Sequence, residues 1–257
     1  VEVDETEAKI RAALPGNNCG ACGFPGCDGC AKAMALGEAP VTQCPVGGSP
    51  VAAKISEILG AGEVSMDQDK KVAHVHCQGS CSKTKQIARY TGIADCNDLA
   101  VVPEKACPYS CCGYGSCVKV CAFDAIHVVD GVAVVDKEKC TACGACIKAC
   151  PKALISFVPY KKKHIVSCKN LLKGKAVKES CSIGCIACGI CEKNCPFDAI
   201  HVINDLAVMN EKCTDCGICA QKCPTSAITG KRVKKAEAKE AVQEKKEEAK
   251  EATAPPA

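Results

Sequence analysis

The sequence predicts a small α+β protein, in which an N-terminal helical domain precedes two tandem cysteine-rich modules of short helices and strands. Cysteine supplies 27 of the 257 residues, and many of these cysteines recur at spacings of three and four residues. Large apolar side chains are scarce, since Trp is absent and Phe and Tyr occur four times each. Without Cys, the apolar share falls to roughly 36–37%, against about 45–50% in an average domain. Disulfides or metal must therefore replace part of the usual core.

The cysteine spacing favours metal over disulfides. The count is odd, and the first five residues are too polar for an export signal. Two runs read C-x2-C-x2-C-x3-C-P, which is the bacterial spacing for 4Fe-4S clusters. Zinc is the alternative, but zinc sites use two separated C-x2-C pairs and leave the third Cys and the Pro unexplained. The runs are Cys185, Cys188, Cys191 and Cys195 before Pro196, and Cys213, Cys216, Cys219 and Cys223 before Pro224.

In this motif three thiolates hold one cluster and the fourth holds its neighbour. The rule predicts one cluster on Cys185, Cys188, Cys191 and Cys223, and another on Cys213, Cys216, Cys219 and Cys195. An earlier module repeats the pattern with an enlarged first loop. There the rule predicts clusters on Cys107, Cys111, Cys117 and Cys150, and on Cys140, Cys143, Cys146 and Cys121. Cys112 is interpreted as a buried spare that could exchange with Cys111.

An internal repeat supports the pairing of the two modules. Residues 121–128 and 195–202 share the pattern Cys-x-Phe-Asp-Ala-Ile-His-Val, and a hairpin pattern follows each. Asp130-Gly131 is a strong signal for a two-residue turn. Each module is therefore predicted to be a two-cluster, bacterial ferredoxin-like domain. His127 and His201 are interpreted as strand residues and not as metal ligands.

The N-terminal segment has the spacing C-x2-C-x4-C-x16-C, closed by Pro45. Glycines in this loop give the backbone the freedom to fold around a fifth cluster. A capping pattern at Asp4–Glu7 predicts a helix before the loop, and a second helix is predicted over Pro50–Leu59, ended by Gly60. Cys30 is interpreted as a small packing residue. The predicted ligands are Cys19, Cys22, Cys27 and Cys44.

Five cysteines remain for one more possible cluster. Cys77 and Cys81 form a C-x3-C clamp, with Cys96 as the third ligand and Cys181 or Cys168 as the fourth. The alternative is that all five are structural thiols in an irregular linker. The sequence thus predicts five 4Fe-4S clusters, with a sixth as a further candidate.

These motifs divide the chain into six segments. The last is rich in Lys, Glu and Ala, and it is predicted to be a solvated helix or disordered, with no chemistry of its own. The segments are an N-terminal 4Fe-4S domain at 1–60, a cysteine-containing connector at 61–106, ferredoxin-like domains at 107–160 and 185–230, a basic cysteine-containing insertion at 161–184, and a charged tail at 231–257.

The order of these motifs over roughly residues 1–230 resembles the B subunit of the Rnf complex, in its longer clostridial and acetogen form. The C-x2-C-x4-C element alone is less specific, since corrinoid iron–sulfur proteins carry a similar one. The segments that carry the resemblance are Asn18–Cys27 (NCGACGFPGC), His76–Cys81 (HCQGSC), Ala106–Tyr109 (ACPY) and Val158–Lys163 (VPYKKK).

The resemblance implies a membrane complex that passes electrons from reduced ferredoxin to NAD and couples this transfer to export of Na⁺ or H⁺. The B subunit is then the cluster-rich arm at the cytoplasmic face of the cell membrane. Its implied partners are reduced ferredoxin and the membrane subunits of the complex. Attachment to the membrane is expected through those subunits, or through the N-terminal helix usual in the family, which this sequence lacks.

The remaining features limit the chemistry. No general base, nucleophile or nucleotide motif is recognisable, so this chain is expected to carry electrons only, without a flavin. A formal charge of +4 and few aromatic residues argue against nucleic-acid binding. No run of 18 apolar residues occurs. The alternatives are a soluble polyferredoxin carrier and an electron-feeding subunit of a corrinoid, hydrogenase or heterodisulfide-reductase system.

One charged stretch is a candidate docking site. Residues 161–178 contain seven lysines and no acidic residue. This stretch is hypothesised to attract an acidic ferredoxin, and the alternative is an ordinary solvated basic loop. The lysines are Lys161, Lys162, Lys163, Lys169, Lys173, Lys175 and Lys178.

Overall fold

The computed structural model describes residues 5–61, 70–98 and 103–230. The predicted tail at 231–257 and the capping residue Asp4 lie outside the described residues. The helices are α1 Glu5–Ala13, α2 Gly26–Ala35, α3 Gly48–Leu59, α4 Ser116–Lys119, α5 Ala145–Lys148, α6 Lys175–Ser180, α7 Ile190–Lys193 and α8 Ile218–Lys222. The strands are β1 Lys71–Val75, β2 Ile126–Val129, β3 Val132–Val135, β4 Ile155–Pro159, β5 Ile200–Ile203 and β6 Leu206–Met209.

Helices α1, α2 and α3 form the N-terminal domain around a small apolar core. Ile10, Met34 and Ile55 are fully buried, one from each helix. Helix α3 ends where the sequence predicts, because Gly60 takes the left-handed conformation with φ of 63°. Helix α2 has no counterpart among the predicted elements, since its sequence GCDGCAKAMA is dominated by small residues and carries two glycines. No helix in these described ranges is long and apolar enough to cross a membrane.

The two predicted hairpins are present as antiparallel pairs. Strands β2 and β3 meet at Val129 and Val132, and β5 and β6 meet at Ile203 and Leu206. Both residues of each turn have positive φ, which is the type I′ geometry that matches strand twist. The repeated His lies on the first strand of each hairpin and pairs with nearby carboxylates, which agrees with its predicted strand role.

A third sheet joins parts of the chain that lie far apart in sequence. Strand β1 pairs antiparallel with β4, so that Val72 lies opposite Val158 and Val75 lies opposite Ile155. The second module has a shorter equivalent, in which Val166 forms a bridge with Ile228. Each ferredoxin-like module is therefore closed by an extended segment that precedes its cysteine motifs. These segments come from the regions predicted as connector 61–106 and insertion 161–184.

The N-terminal core offers a stability test. Replacement of Ile10 by Ala should lower the free energy of unfolding by about 2–5 kcal/mol, because it leaves a cavity between the three helices. The matched control is Ile93→Ala, at a side chain that is 74% exposed, and its effect should stay within about 0.5 kcal/mol. Denaturant titration followed by circular dichroism measures both. Equal effects would contradict this packing.

Candidate iron–sulfur sites

The loops that carry the cysteine motifs share one backbone conformation. In each C-x2-C-x2-C run the residues on both sides of the middle cysteine are left-handed, as in Ala142 and Gly144 around Cys143. The same conformation recurs around Cys188 and Cys216. A left-handed alanine costs of order 1 kcal/mol, so a stabilising contact must hold it in place. The reversal turns successive thiols toward one centre, which suits a multi-iron cluster.

In the second module the structure brings one predicted group of four into a single cavity. Phe197 and Ile218 contribute apolar walls to this cavity. Burial raises the pKa of the Cys219 thiol to about 12, and the charges of Cys213 and Cys216 add to this effect. The cysteines of the cavity are Cys195, Cys213, Cys216 and Cys219.

The other predicted group of the second module also lies together. Burial raises the pKa of Cys191 to about 11, and three neighbouring thiolates shift it in the same direction. Those neighbours are Cys185, Cys188 and Cys223, as the crossed rule predicts.

The first module contains one group of the same kind. Burial raises the pKa of Cys146 to about 12, with contributions from Cys143, Cys140 and Cys121. Cys117 of the adjacent group is also close enough to contribute. The two groups of this module are therefore neighbours.

The adjacent cavity differs from the prediction in its membership. It is lined by five cysteines, but not by Cys107. The motif position at which the second module has Cys188 is occupied by Tyr114, whose hydroxyl donates to Glu104 Oε2 at 2.8 Å. The five cysteines are Cys96, Cys111, Cys112, Cys117 and Cys150.

Cys96 lines this cavity, whereas Tyr114 does not. The Cys96 amide donates to Ser116 Oγ at 2.8 Å, which fixes the segment against this loop. A hydrogen bond from the Cys112 thiol, supported by the Ser116 hydroxyl and by backbone amides at Ser116 and Tyr114, lowers the pKa of Cys96 to about 5. Cys96 therefore reaches this cavity from a sequence position that the spacing rule does not consider.

Cys107 lines a separate cavity instead. The physical reason is a tight turn, in which Ser110 donates to the Cys107 carbonyl through both its amide at 3.1 Å and its hydroxyl at 2.8 Å. The turn directs Cys107 and Cys111 to different cavities. The other cysteines of this separate cavity are Cys77, Cys168 and Cys181.

The predicted clamp of Cys77 with Cys81 does not form in the structure. Cys81 is exposed, and its amide donates to the Asp130 carbonyl at 2.8 Å in the turn between β2 and β3. A sequence signal for the actual partners exists, since Cys107 and Cys181 stand four residues before Cys111 and Cys185, which begin the two aligned motifs. This signal appears only when the two modules are aligned, and not in the cysteine spacing of either motif alone.

In the N-terminal domain Cys22, Cys27 and Cys44 border the helical core. Cys19 is exposed and lies in the left-handed turn formed by Asn18 and Gly20. Cys30 is buried beside this group, and burial together with a hydrogen bond to the Cys22 thiol raises its pKa to about 12. Cys22, Cys27 and Cys44 therefore lie close to one another and to Cys30, whereas Cys19 lies in the exposed turn that precedes them.

Backbone amides point at several of these sulfurs. The amide four residues after a cysteine donates to that sulfur at 3.4 Å for Cys121, 3.4 Å for Cys150 and 3.3 Å for Cys195. Such donors stabilise a thiolate and help set the potential of a bound cluster.

The donor set fits 4Fe-4S clusters. Many of these thiols have raised pKa values, so the positive charge of iron is needed to hold them as thiolates. Within residues 5–61, 70–98 and 103–230, no three ligating side chains converge on a point suited to one metal ion. Cavities lined by four or five cysteines supply the four thiolates that a 4Fe-4S cluster takes.

Three iron–sulfur family models match this chain. The family described as "Putative Fe-S cluster" matches residues 14–46. A 4Fe-4S binding domain matches residues 133–156, and a 4Fe-4S dicluster domain matches residues 184–228. The chain therefore carries multiple 4Fe-4S clusters, as the cysteine spacing predicts.

Three relatives align with most of the chain. The B subunit of the Na(+)-translocating ferredoxin:NAD(+) oxidoreductase complex of Acetobacterium woodii is 48% identical over 225 residues, which are 86% of this chain and 67% of the relative. The B subunit of an ion-translocating oxidoreductase complex of Methanosarcina acetivorans is 44% identical, covering 80% and 78% of the two chains. The B subunit of the proton-translocating ferredoxin:NAD(+) oxidoreductase complex of Clostridium ljungdahlii is 41% identical, covering 82% and 75%.

Proposed function

Because this chain belongs to the family of B subunits of ion-translocating ferredoxin:NAD(+) oxidoreductase complexes, we propose that it accepts electrons from reduced ferredoxin and relays them to other subunits of such a complex. The observation that carries the proposal is the set of three cysteine-lined cavities, which lie in the first module, in the second module and between their closing segments. The proposal includes a position for this subunit at the cytoplasmic face of the membrane.

Five clusters follow from the grouping of thiols. Four have the ligands that the spacing rule predicts. In the fifth, Cys96 replaces Cys107, and Cys112 remains a spare hydrogen-bond donor. The proposed sets are Cys19, Cys22, Cys27 and Cys44; Cys121, Cys140, Cys143 and Cys146; Cys96, Cys111, Cys117 and Cys150; Cys185, Cys188, Cys191 and Cys223; and Cys195, Cys213, Cys216 and Cys219.

Neighbouring sites are close enough for their thiols to affect one another. The charge of Cys19 contributes to the raised pKa of Cys143, which links the N-terminal site to the first module. Cys117 acts on Cys146 within the first module, and Cys191 acts on Cys219 within the second. When bound, the clusters supply one-electron transfer at low potential. The chain's own part is to fix their separation and to direct amides at their sulfurs.

The basic stretch supports ferredoxin as the electron donor. Lys161, Lys162 and Lys163 line an open cleft whose floor includes Cys213 and Cys216. Asp215 and Glu211 also line this cleft, and the Asp215 carboxylate accepts the amides of Lys163 and His164 at 2.8 Å each, so three lysines outnumber two carboxylates there. An acidic protein held by these lysines would lie beside the cluster on Cys195, Cys213, Cys216 and Cys219.

Charge reversal of the cleft tests this function. Changing Lys161, Lys162 and Lys163 to Glu should slow reduction of the clusters by reduced ferredoxin roughly tenfold or more at low ionic strength, and should weaken its salt dependence. Anaerobic stopped-flow absorbance measures the rate. The control reverses three exposed lysines of the N-terminal helices, Lys9, Lys32 and Lys54, and should leave the rate nearly unchanged. An equal rate in both variants would remove the docking site, and no reduction of the wild-type chain would refute the function.

A second pair of variants tests the altered ligand set. Cys96→Ala should lower the iron content by about four atoms per chain, because one 4Fe-4S cluster loses a ligand. Cys112→Ala should retain the full content, since its thiol only donates to Cys96. Iron and acid-labile sulfide assays on protein prepared without oxygen measure both. The opposite pattern would assign Cys112 as the ligand.

A further inference from the structure

We propose that Cys77, Cys107, Cys168 and Cys181 hold an additional 4Fe-4S cluster that bridges the two ferredoxin-like modules. This inference rests on the proposed relay function and adds the site that makes the relay continuous. All four side chains line one cavity. Cys107 and Cys181 are buried, and Cys77 and Cys168 are half-buried. The four thiols therefore border one shared space.

The two modules contribute to this site in the same way. Each gives one cysteine at the end of its closing extended segment, Cys77 after β1 and Cys168 after the Val166 bridge. Each also gives one cysteine that stands four residues before the start of its aligned motif, namely Cys107 and Cys181. A repeated contribution of two thiols from each half argues for a built site and against leftover structural cysteines.

Paired hydrogen bonds connect the bridging thiols to ligands of the neighbouring clusters. The Cys111 amide donates to Cys77 Sγ at 3.4 Å, and the Cys185 amide donates to Cys168 Sγ at 3.3 Å. Cys111 and Cys185 hold equivalent positions in the two modules. Each bridging thiolate thus contacts the backbone of a residue that ligates the next cluster. These contacts give an electron a short route across the site.

Asn170 ties the two halves of the site together. It is 1% exposed, its side-chain amide donates to Cys107 Sγ at 3.3 Å, and its backbone amide donates to Cys168 Sγ at 3.4 Å. The side-chain oxygen of Asn170, Oδ1, accepts the Leu172 amide at 2.7 Å, which fixes the orientation of the side chain. A buried amide aimed at sulfur is the kind of second-layer donor that metal sites use.

The step at this site is a transfer of one electron with no bond made or broken. The cluster of one module is oxidised as the bridging cluster is reduced, and the bridging cluster is then reoxidised by the cluster of the other module. Na⁺ or H⁺ takes no part in this step. Electron transfer between the modules depends on the bridge, whereas uptake from ferredoxin at the Lys161–Lys163 cleft does not.

Counting intact clusters tests the proposal. Native mass spectrometry of the anaerobic wild-type chain should show six clusters, or about 24 irons in a parallel assay. Cys168→Ala and Cys181→Ala should each show five. The matched control is Cys81→Ala, whose exposed thiol lies outside every cysteine-lined cavity described above and should leave six. Five clusters in the wild-type chain, or six in both cavity variants, would overturn the bridge.

The number of clusters in the wild-type chain tests the bridging site even where a cavity variant fails to fold. This result is independent of the function proposed above. A chain with five clusters that ferredoxin still reduces would remove only the bridge. A chain with six clusters that ferredoxin does not reduce would leave the bridge and remove the function.

A change at Asn170 tests the same site without removing a ligand. Asn170→Ala should keep six clusters but shift one midpoint potential downward, because the thiolate of Cys107 loses a donor that favours the reduced cluster. Redox titration followed by electron paramagnetic resonance measures the shift. Asn17→Ala, at an exposed loop residue, should leave all potentials unchanged. Unchanged potentials in Asn170→Ala would contradict a cluster at this cavity.

Discussion

Bonds between iron and thiolate take the place that apolar packing holds in most domains of this size. The three hydrophobic clusters of the described structure are small, and cysteines form part of each of them. The short helices α4, α5, α7 and α8 each carry a motif cysteine and span only four or five residues. Elements this short are not stable alone. If their cysteines hold the proposed clusters, the position of these helices depends on the clusters, and metal binding is coupled to folding.

The same constraint shapes the electrostatics of the sites. Burial raises the pKa of several thiols, and like charges within each group raise it further. Backbone amides and the buried Asn170 act in the opposite sense by donating to sulfur. Burial and like charges disfavour the thiolates, whereas hydrogen-bond donors favour them, and the number of donors differs from site to site. The protein can therefore set different potentials along the relay with identical ligands.

In the proposed relay, the docking cleft and the cluster sites follow one another along the molecule. The basic cleft borders the second module, and the N-terminal site adjoins the first module through Cys19 and Cys143. An electron taken up at the cleft would cross both modules before it reached the N-terminal domain. The proposed bridging site would lie at the middle of this route, where neither module alone supplies four cysteines.

Local sequence determined the parts of this structure that depend on local geometry. The C-x2-C-x2-C-x3-C-P runs, the turn at Asp130-Gly131 and the helix stop at Gly60 follow from residues that lie within a few positions of one another. The family resemblance also follows from such motifs, and the relatives confirm it. Only the tertiary structure decided the partners of Cys77, Cys96, Cys107 and Cys168. Their sites are closed by pairing of β1 with β4 and by packing of one module on the other, and contacts between distant segments leave no periodic signal in a single sequence.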